Sequence, residues 1–254
     1  MLHIIGDLRG YTINATDGEI GKVEDFYFDD QHWAVRYLIV DTGGWLLGRK
    51  VLISPTSIGR ATRDRQSLAV SLSKKQVEDS PSIDTDKPVS RQYETSFYEY
   101  YHYPRYWGGP YLWGPTALPG EIMAPPPSDI ELAAVATRQW TESSDPHLRS
   151  AQEVTGYYIE ATDGEIGHVE DFLVDDESWA IRYMLIDTKN WWPGKKVVVS
   201  PDWIERVSWP ESRVYVNKSR DNIQHAPEYE ANQALTRDFE TRLHPHYNRA
   251  PYWD

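Results

Sequence analysis

An internal repeat constrains the fold of this chain more than any other feature of its 254 residues. The heptapeptide ATDGEIG occurs at Ala15–Gly21 and again at Ala161–Gly167, an offset of 146 residues. At that offset, 29 of the 49 positions from Gly10 to Ile58 are identical without an insertion. We therefore interpret the chain as a tandem duplication whose two copies share one fold.

The repeat also sets the predicted domain boundaries. The same offset places SRQYET at Ser90–Thr95 on TRDFET at Thr236–Thr241, so each copy includes an aromatic C-terminal tail. We predict a first repeat over residues 1–107 and a second repeat over residues 145–254. Residues 108–144 are predicted to connect the repeats, and their first part, rich in proline and glycine, is either a linker or an extended wrapping segment. A capping box at Ser128 predicts a short helix in the second part.

Each copy has the pattern of short strands joined by tight turns. The runs VEDFYFDD and WAVRYLIVDT predict a hairpin, and the second of them is apolar on both faces, so we expect it to be covered twice. The strongest turn signals are the Asp-Gly pairs, which are Asp17, Gly18, Asp163 and Gly164. The predicted fold is mainly β, with two small antiparallel β-barrels that pair about a pseudo-two-fold axis, each with a short helix and an aromatic extension.

A cross-strand ion pair is predicted in each hairpin. With the turn centred at residues 30–31, Asp25 faces Arg36 on the neighbouring strand. The same construction pairs Asp171 with Arg182 in the second copy. Both copies keep the pair, so we expect it to support the hairpin.

The aromatic tail predicts a helix with one apolar face. Tyr93, Phe97 and Tyr101 are spaced by four residues, and we expect them to pack on the core. Ser90 and Thr236 stand where the two copies of this helix should have their N-caps.

Two aromatic residues, Tyr111 and Trp113, lie beyond the repeated part of the tail. The repeat does not account for them, so they are the candidates for binding a ligand or a partner.

Composition limits the chemistry of the protein. The absence of cysteine excludes disulfides and thiolate catalysis, and a net charge of −13 argues against a nucleic-acid partner. The longest apolar runs are too short to span a bilayer, and the start of the sequence lacks an export signal, so we expect a cytoplasmic protein without an integral membrane segment.

No catalytic motif, cofactor site or metal site is predicted. The acidic residues of each hairpin are interpreted as turns, ion pairs and a solvated rim. His244 and His246 flank a proline in the tail and are interpreted as solvated.

The sequence resembles one known family. Both copies contain DGEIGxVEDF, then WA(V/I)RY, then (V/I)DT, a tryptophan at Trp45 or Trp191, and finally G(R/K)KV followed by SP. This pattern resembles the PRC-barrel domain of the photosynthetic reaction-centre H subunit and of the ribosome maturation factor RimM. The resemblance covers Leu8–Pro81 and Val154–Pro227. It implies a small barrel of about six strands that serves as a docking or assembly module and not as an enzyme.

The leading functional expectation is a non-enzymatic docking or scaffold protein that binds a protein partner. One alternative is a peripheral subunit of a photosynthetic or electron-transfer membrane complex, by analogy with the reaction-centre H subunit. Another is a protein that binds a small ligand in a groove between the barrels. The sequence leaves homo-oligomerisation open.

Overall fold

The computed structural model describes residues 1–58, 66–83, 89–121, 147–188, 195–230 and 235–253. The chain divides into two compact units. The first-repeat unit contains Leu8–Ser150 and Glu177–Ala180, and the second-repeat unit contains Met1–Asp7, Ala151–Asp176 and Ile181–Asp254. The predicted linker helix starting at Ser128 lies outside the described residues.

The units differ from the contiguous ranges predicted from the sequence because the chain crosses between them. The elements up to residue 121 are β1 (Leu2–Ile4), α1 (Ile5–Leu8), β2 (Thr12–Ala15), β3 (Gly18–Asp29), β4 (Ala34–Asp41), β5 (Lys50–Ile53), β6 (Ser67–Ala69), α2 (Lys74–Glu78) and α3 (Arg91–Tyr101). Those from residue 147 are β7 (Leu148–Ser150), α4 (Ala151–Val154), β8 (Tyr158–Ala161), β9 (Gly164–Asp175), β10 (Ile181–Asp187), β11 (Lys196–Val199), β12 (Ile204–Ser208), β13 (Arg213–Val216), α5 (Arg220–Gln224) and α6 (Arg237–His246).

Each unit is organised around one sheet. In the first-repeat unit the strand order is β5-β4-β3-β2-β6, and β7 pairs with β3. In the second-repeat unit the order is β11-β10-β9-β8-β13-β12, and β1 pairs with β9. The pairs β2–β6 and β8–β13 are parallel, whereas the other pairings are antiparallel.

These sheets confirm a mainly β fold and correct the prediction of antiparallel barrels. Across the described residues the sheets do not close into barrels, and each has a parallel pair. A parallel neighbour needs a crossover connection, which here includes the 3-10 turn Pro55–Ser57 in the first repeat and Pro201–Trp203 in the second. The hairpin signals in the sequence indicate strands and turns but not which strand a crossover returns to.

Strand β4 is covered on both faces, as expected. Every residue from Ala34 to Val40 is buried. Tyr37 meets Phe97 of α3 edge-on, with their ring centroids 5.1 Å apart. The tail helix therefore provides one of the two covers, and burial of a side chain such as Phe97 stabilises the fold by about 1.5–3 kcal/mol.

The Asp-Gly segments connect β2 to β3 and β8 to β9, and they have a second role. Thr16 and Asp17 make a two-residue turn between β2 and β3, and Gly18 follows with φ +141°. The Asp17 carboxylate also accepts a hydrogen bond of 2.7 Å from the backbone N–H of Lys74, the first residue of α2. Asp163 accepts the equivalent bond from Arg220. Each turn thus helps to fix the start of a short helix.

The register of the β3–β4 hairpin differs from the predicted one. Asp25 lies opposite Ile39, and in the second repeat Asp171 lies opposite Leu185. The first turn spans four residues, 30–33, with Trp33 at φ +50°, and bulges shift the pairing further along β3. Bulges add residues to one strand only, so a register counted outward from an assumed turn centre does not reproduce them.

The close approach of two backbone segments at Gly21 gives a testable consequence. A Cβ atom at Gly21 would lie 2.1 Å from the carbonyl oxygen of Asp41. We therefore expect Gly21→Ala to lower the free energy of unfolding by about 1–3 kcal/mol through overpacking. Gly44→Ala, where a Cβ meets nothing within 4 Å, serves as the control and should change it by less than about 0.5 kcal/mol. Urea unfolding measures both, and equal midpoints would contradict the close approach.

Candidate functional site

A buried carboxylate joins the sheet to the tail in the first-repeat unit. Ser90 caps α3 through its hydroxyl and the Tyr93 N–H, as predicted, and this places Glu94 on the face of the helix toward β4. Glu94 Oε1 accepts hydrogen bonds from the hydroxyls of Tyr37 at 3.0 Å and Tyr106 at 2.8 Å. The strand, the helix and the segment after the helix therefore meet at one oxygen.

Arg91 completes this cluster. Its guanidinium lies 2.9 Å from Glu94 Oε2 and donates a hydrogen bond of 3.0 Å to the Tyr106 hydroxyl. It also lies 4.4 Å from the ring centroid of Trp107. The carboxylate thus meets one guanidinium and two hydroxyls, as a charge out of contact with water requires.

A second buried ion pair adjoins the first. Arg36 is fully buried, and it donates to Asp29 Oδ2 at 3.1 Å and to the Leu112 carbonyl at 2.7 Å. Its guanidinium lies 3.9 Å from the ring centroid of Tyr106. The partner of Arg36 is therefore Asp29 and not the predicted Asp25, because the observed register places Asp25 opposite Ile39.

The segment beyond the tail covers Arg36. Trp113 is 3% exposed, its ring lies 4.9 Å from the Arg36 guanidinium, and its indole N–H donates to the Ser178 carbonyl at 2.8 Å. Trp113 is consequently part of the interior and does not present a surface to a ligand. Tyr111 is 58% exposed and stays a candidate contact residue.

Burial shifts the pKa of the titratable groups in this network. Burial raises the pKa of Glu94, and the counteracting effect of Arg91 and the two hydroxyls is smaller. Burial and then the Glu94 carboxyl raise the pKa of Tyr37 and Tyr106 well above the usual value. Burial also acts to raise the pKa of Asp29, but Arg36, the Gln31 amide and His32 outweigh it, so that pKa is lowered.

The second-repeat unit repeats the arrangement. Tyr183 donates to Glu240 Oε1 at 3.0 Å, and Arg237 lies 3.2 Å from Glu240 Oε2. Tyr252 lies beneath the guanidinium of Arg182 at 4.0 Å and corresponds to Tyr106. Each of these residues is identical to its counterpart 146 positions earlier. The network is therefore part of the repeated design.

Arg182 and Asp175 correspond to Arg36 and Asp29. Their side chains approach to 3.8 Å. The structure thus joins Arg182 to Asp175, whereas the sequence predicted Asp171, and the cause is the same displacement of register along the hairpin.

His244 is the main departure between the copies, since it stands where the first repeat has Tyr98. It is 4% exposed, its Nδ1 donates to the Ala250 carbonyl at 3.1 Å, and its Nε2 lies 2.7 Å from the Tyr183 hydroxyl. Burial lowers the pKa of His244, against the effects of Ala250 and Glu240. Its interpretation as part of a solvated tail was wrong, because Pro245 lies inside α6 and does not expose the helix before it.

Asp25 and Asp171 hold the short strands that join each sheet. The Ser150 hydroxyl, at the end of β7, donates to Asp25 Oδ2. The Gly6 N–H, just after β1, lies 3.2 Å from both oxygens of Asp171. Each of these two aspartates therefore binds the segment that contains the added short strand, a role that was not predicted from the hairpin.

An exposed apolar loop lies at the other end of the hairpin, between β4 and β5. In this loop, Gly43–Gly48, Leu47 is 98% exposed and has φ +55°, while Trp45 and Leu46 are half-buried. The ammonium group of Lys74 lies 4.4 Å from the ring centroid of Trp45. The corresponding loop of the second repeat, 189–194, lies outside the described residues.

Two other kinds of feature are absent from the described ranges. No three of the His, Asp and Glu side chains placed there come together in a way that could hold a metal ion. None of the helices in that part of the chain is long and apolar enough to cross a membrane.

Comparison with known proteins identifies the first repeat. Residues 4–75 match the family model of the PRC-barrel domain. The chain is also 38% identical over 73 residues to an uncharacterized protein of Deinococcus radiodurans, and the aligned segment is 28% of this chain and 26% of that relative. Over residues 4–75, this match confirms the resemblance inferred from the sequence motifs. The chain matches only about a quarter of the relative's length.

The hydroxyl of Tyr106 should matter for stability, since it both donates to Glu94 and accepts from Arg91. We expect Tyr106→Phe to lower the free energy of unfolding by about 1–3 kcal/mol, because it leaves a buried carboxylate with one donor fewer. Tyr111→Phe removes a hydroxyl from an exposed ring and should have no effect beyond about 0.5 kcal/mol. Chemical denaturation compares the two variants, and equal losses would contradict the role of the network.

The raised pKa of Glu94 predicts a pH dependence. A carboxyl whose pKa is higher in the folded state than in the unfolded chain stabilises the fold below its unfolded pKa, and this contribution is lost as pH rises through the folded pKa. The wild-type free energy of unfolding should therefore fall relative to that of Glu94→Gln as pH rises above the ordinary Glu value of 4.5. Denaturation curves at a series of pH values measure the difference. A difference that stays constant or grows in favour of the wild type would contradict the shift.

Proposed function

We propose that the chain is a non-enzymatic docking protein built from two PRC-barrel domains. The family match supports the first domain, and the repeated sequence motifs together with the repeated carboxylate network support the second. The two domains are proposed to pair about a pseudo-two-fold axis, as expected for the duplication of a self-complementary unit.

The contrast between a closed polar interior and an exposed apolar loop carries this proposal. Glu94, Tyr37 and Tyr106 are buried and hydrogen-bonded to one another, and these bonds hold the tail against the sheet. Leu47, in contrast, presents nearly all of its surface at the tip of Gly43–Gly48. Single exposed leucines are common, but here Trp45 and Leu46 extend the apolar surface.

The shape of the loop indicates the partner it suits. A convex tip that projects an apolar side chain fits an apolar pocket on another protein, where the side chain is desolvated on binding. Leu47 has a left-handed backbone conformation at φ +55°, which a substitution in this loop has to respect.

A second candidate function is that of a peripheral subunit of a membrane complex. Tryptophan and lysine together favour the interface of a bilayer, and the Trp45 ring lies against the Lys74 ammonium group at the base of the loop. In this arrangement the leucine tip would reach the acyl region while Lys74 stays at the headgroups.

The loop gives a direct test of both candidates. Leu47→Asn removes the apolar tip and keeps a residue that tolerates the left-handed backbone. We expect it to reduce the recovery of the protein partner, when tagged protein is used for capture from native cells, by about tenfold or more, because a buried anchor is worth roughly 2 kcal/mol. Tyr158→Ser removes an exposed aromatic residue from the second-repeat unit and should leave recovery unchanged.

Separate capture from soluble and membrane fractions distinguishes the candidates. Loss of soluble partners on Leu47→Asn supports docking to a protein. Loss of binding to protein-free lipid vesicles supports the membrane candidate. Unchanged recovery in every fraction would show that this loop is not the docking surface.

A further inference from the structure

Each unit includes one short strand from the start of the other predicted repeat. Strand β1 lies at the start of the predicted first repeat but pairs with β9 of the second-repeat unit. Strand β7 lies at the start of the predicted second repeat but pairs with β3 of the first-repeat unit. Each sheet is therefore completed by a strand from the other repeat.

The two pairings have the same register. Leu2 lies opposite Asp175, and Leu148 lies opposite Asp29. Both partners are related by the repeat offset of 146 residues. The two leucines are also equally buried, each at 8% exposure. The acceptor strands β3 and β9 thus offer equivalent sites to equivalent donors.

The contacts at the start of each donor strand are equivalent as well. The backbone N–H of Asp176 donates to the carbonyl of Met1 at 3.0 Å, and that of Asp30 donates to the carbonyl of His147 at 2.9 Å. The Asp30 carboxylate also binds the side chain of Arg149 at 2.9 Å. Other side-chain contacts hold the donors as well: His3 Nε2 lies 3.5 Å from Asp176 Oδ2, and the Ser150 hydroxyl donates to Asp25 Oδ2. The strand pairing itself is made by main-chain hydrogen bonds, which any strand of the same register could make.

We propose that β9 is a strand-acceptor site whose partner is the β1 strand of a second copy of this chain. Two copies then associate by exchanging their β1 segments, so that β1 of each copy lies on β9 of the other. The acceptor cannot distinguish the two sources, because donor sequence, register and anchoring contacts are the same in both. Exchange of an identical element between copies is a low-cost route to a dimer.

Concentration controls this exchange. The exchanged dimer keeps the strand pairings of the monomer. The free energies of the two forms therefore differ mainly by the translational freedom lost on association and by any difference in backbone strain in the segment after β1. A three-residue strand can detach by local opening, without unfolding of the remaining sheet. By mass action, the ratio of dimer to monomer should rise roughly tenfold for each tenfold rise in monomer concentration.

Cysteine pairs can detect the exchange unambiguously because the natural sequence contains no cysteine. His3 lies opposite Val174 in the β1–β9 pairing. The double variant His3→Cys/Val174→Cys should form an internal disulfide under oxidising conditions. The two single variants, one of them isotope-labelled, are then mixed, unfolded in urea and refolded together at several concentrations. As a mismatched control, His3→Cys is mixed with Glu211→Cys, whose position is exposed on the same unit.

The outcomes decide the proposal. We expect a disulfide-linked dimer of one His3→Cys chain and one Val174→Cys chain, in several-fold excess over the mismatched control and rising with protein concentration. An internal disulfide in the double variant, with linked dimer no higher than in the mismatched control, would overturn the proposal. Failure of the double variant to form the internal disulfide would overturn it too, because β1 would then not lie on β9.

Discussion

One buried carboxylate in each repeat, Glu94 and Glu240, fixes how the aromatic tail lies on its sheet. A carboxylate without contact to water is costly unless its partners are all in place. In the first repeat these partners come from β4, from α3 and from the segment after α3, through Tyr37, Arg91 and Tyr106. The three elements therefore have to assemble together, and the outer face of β4 becomes interior as a result.

The same constraint determines what is left for function. Tyr37, Glu94 and Tyr106 are engaged in hydrogen bonds with one another, and Trp113 packs over Arg36 in the interior. Two other features can bind a polypeptide: the apolar loop at Gly43–Gly48, and the sheet strands that pair with a short strand distant in sequence. Both features suit a protein that holds other polypeptides, in agreement with the proposed docking function.

Much of the fold followed from local sequence patterns. The N-caps at Ser90 and Thr236 and the double burial of β4 are present in the structure. These features depend on side-chain chemistry within a few residues or on alternation along one strand. That is the range over which a single sequence carries a direct physical signal.

The features that the sequence did not predict depend on distant contacts. Strands β1 and β7 are three residues long, too short for a periodicity, and β1 finds its partner about 170 positions away. A bulge in β4 leaves Arg36 unpaired between Val35 and Tyr37, so the predicted register did not bring it to Asp29. Glu94 was not predicted as part of a site, although its repetition as Glu240, together with the repeated tyrosines and arginines, was a signal available in the sequence.

Native-state hydrogen exchange tests the central claim most directly, namely that the carboxylate network makes α3 part of the same cooperative unit as β4. Backbone amides of Phe97 and Tyr98 in α3 are compared with those of Leu38 and Val40 in β4, at low denaturant concentration. The account predicts that both sets exchange with the same opening free energy, within about 0.5 kcal/mol, because neither element is stable without the other. Exchange of the α3 amides through an opening that costs several kcal/mol less would show that the tail is an independent appendage, and would contradict the account.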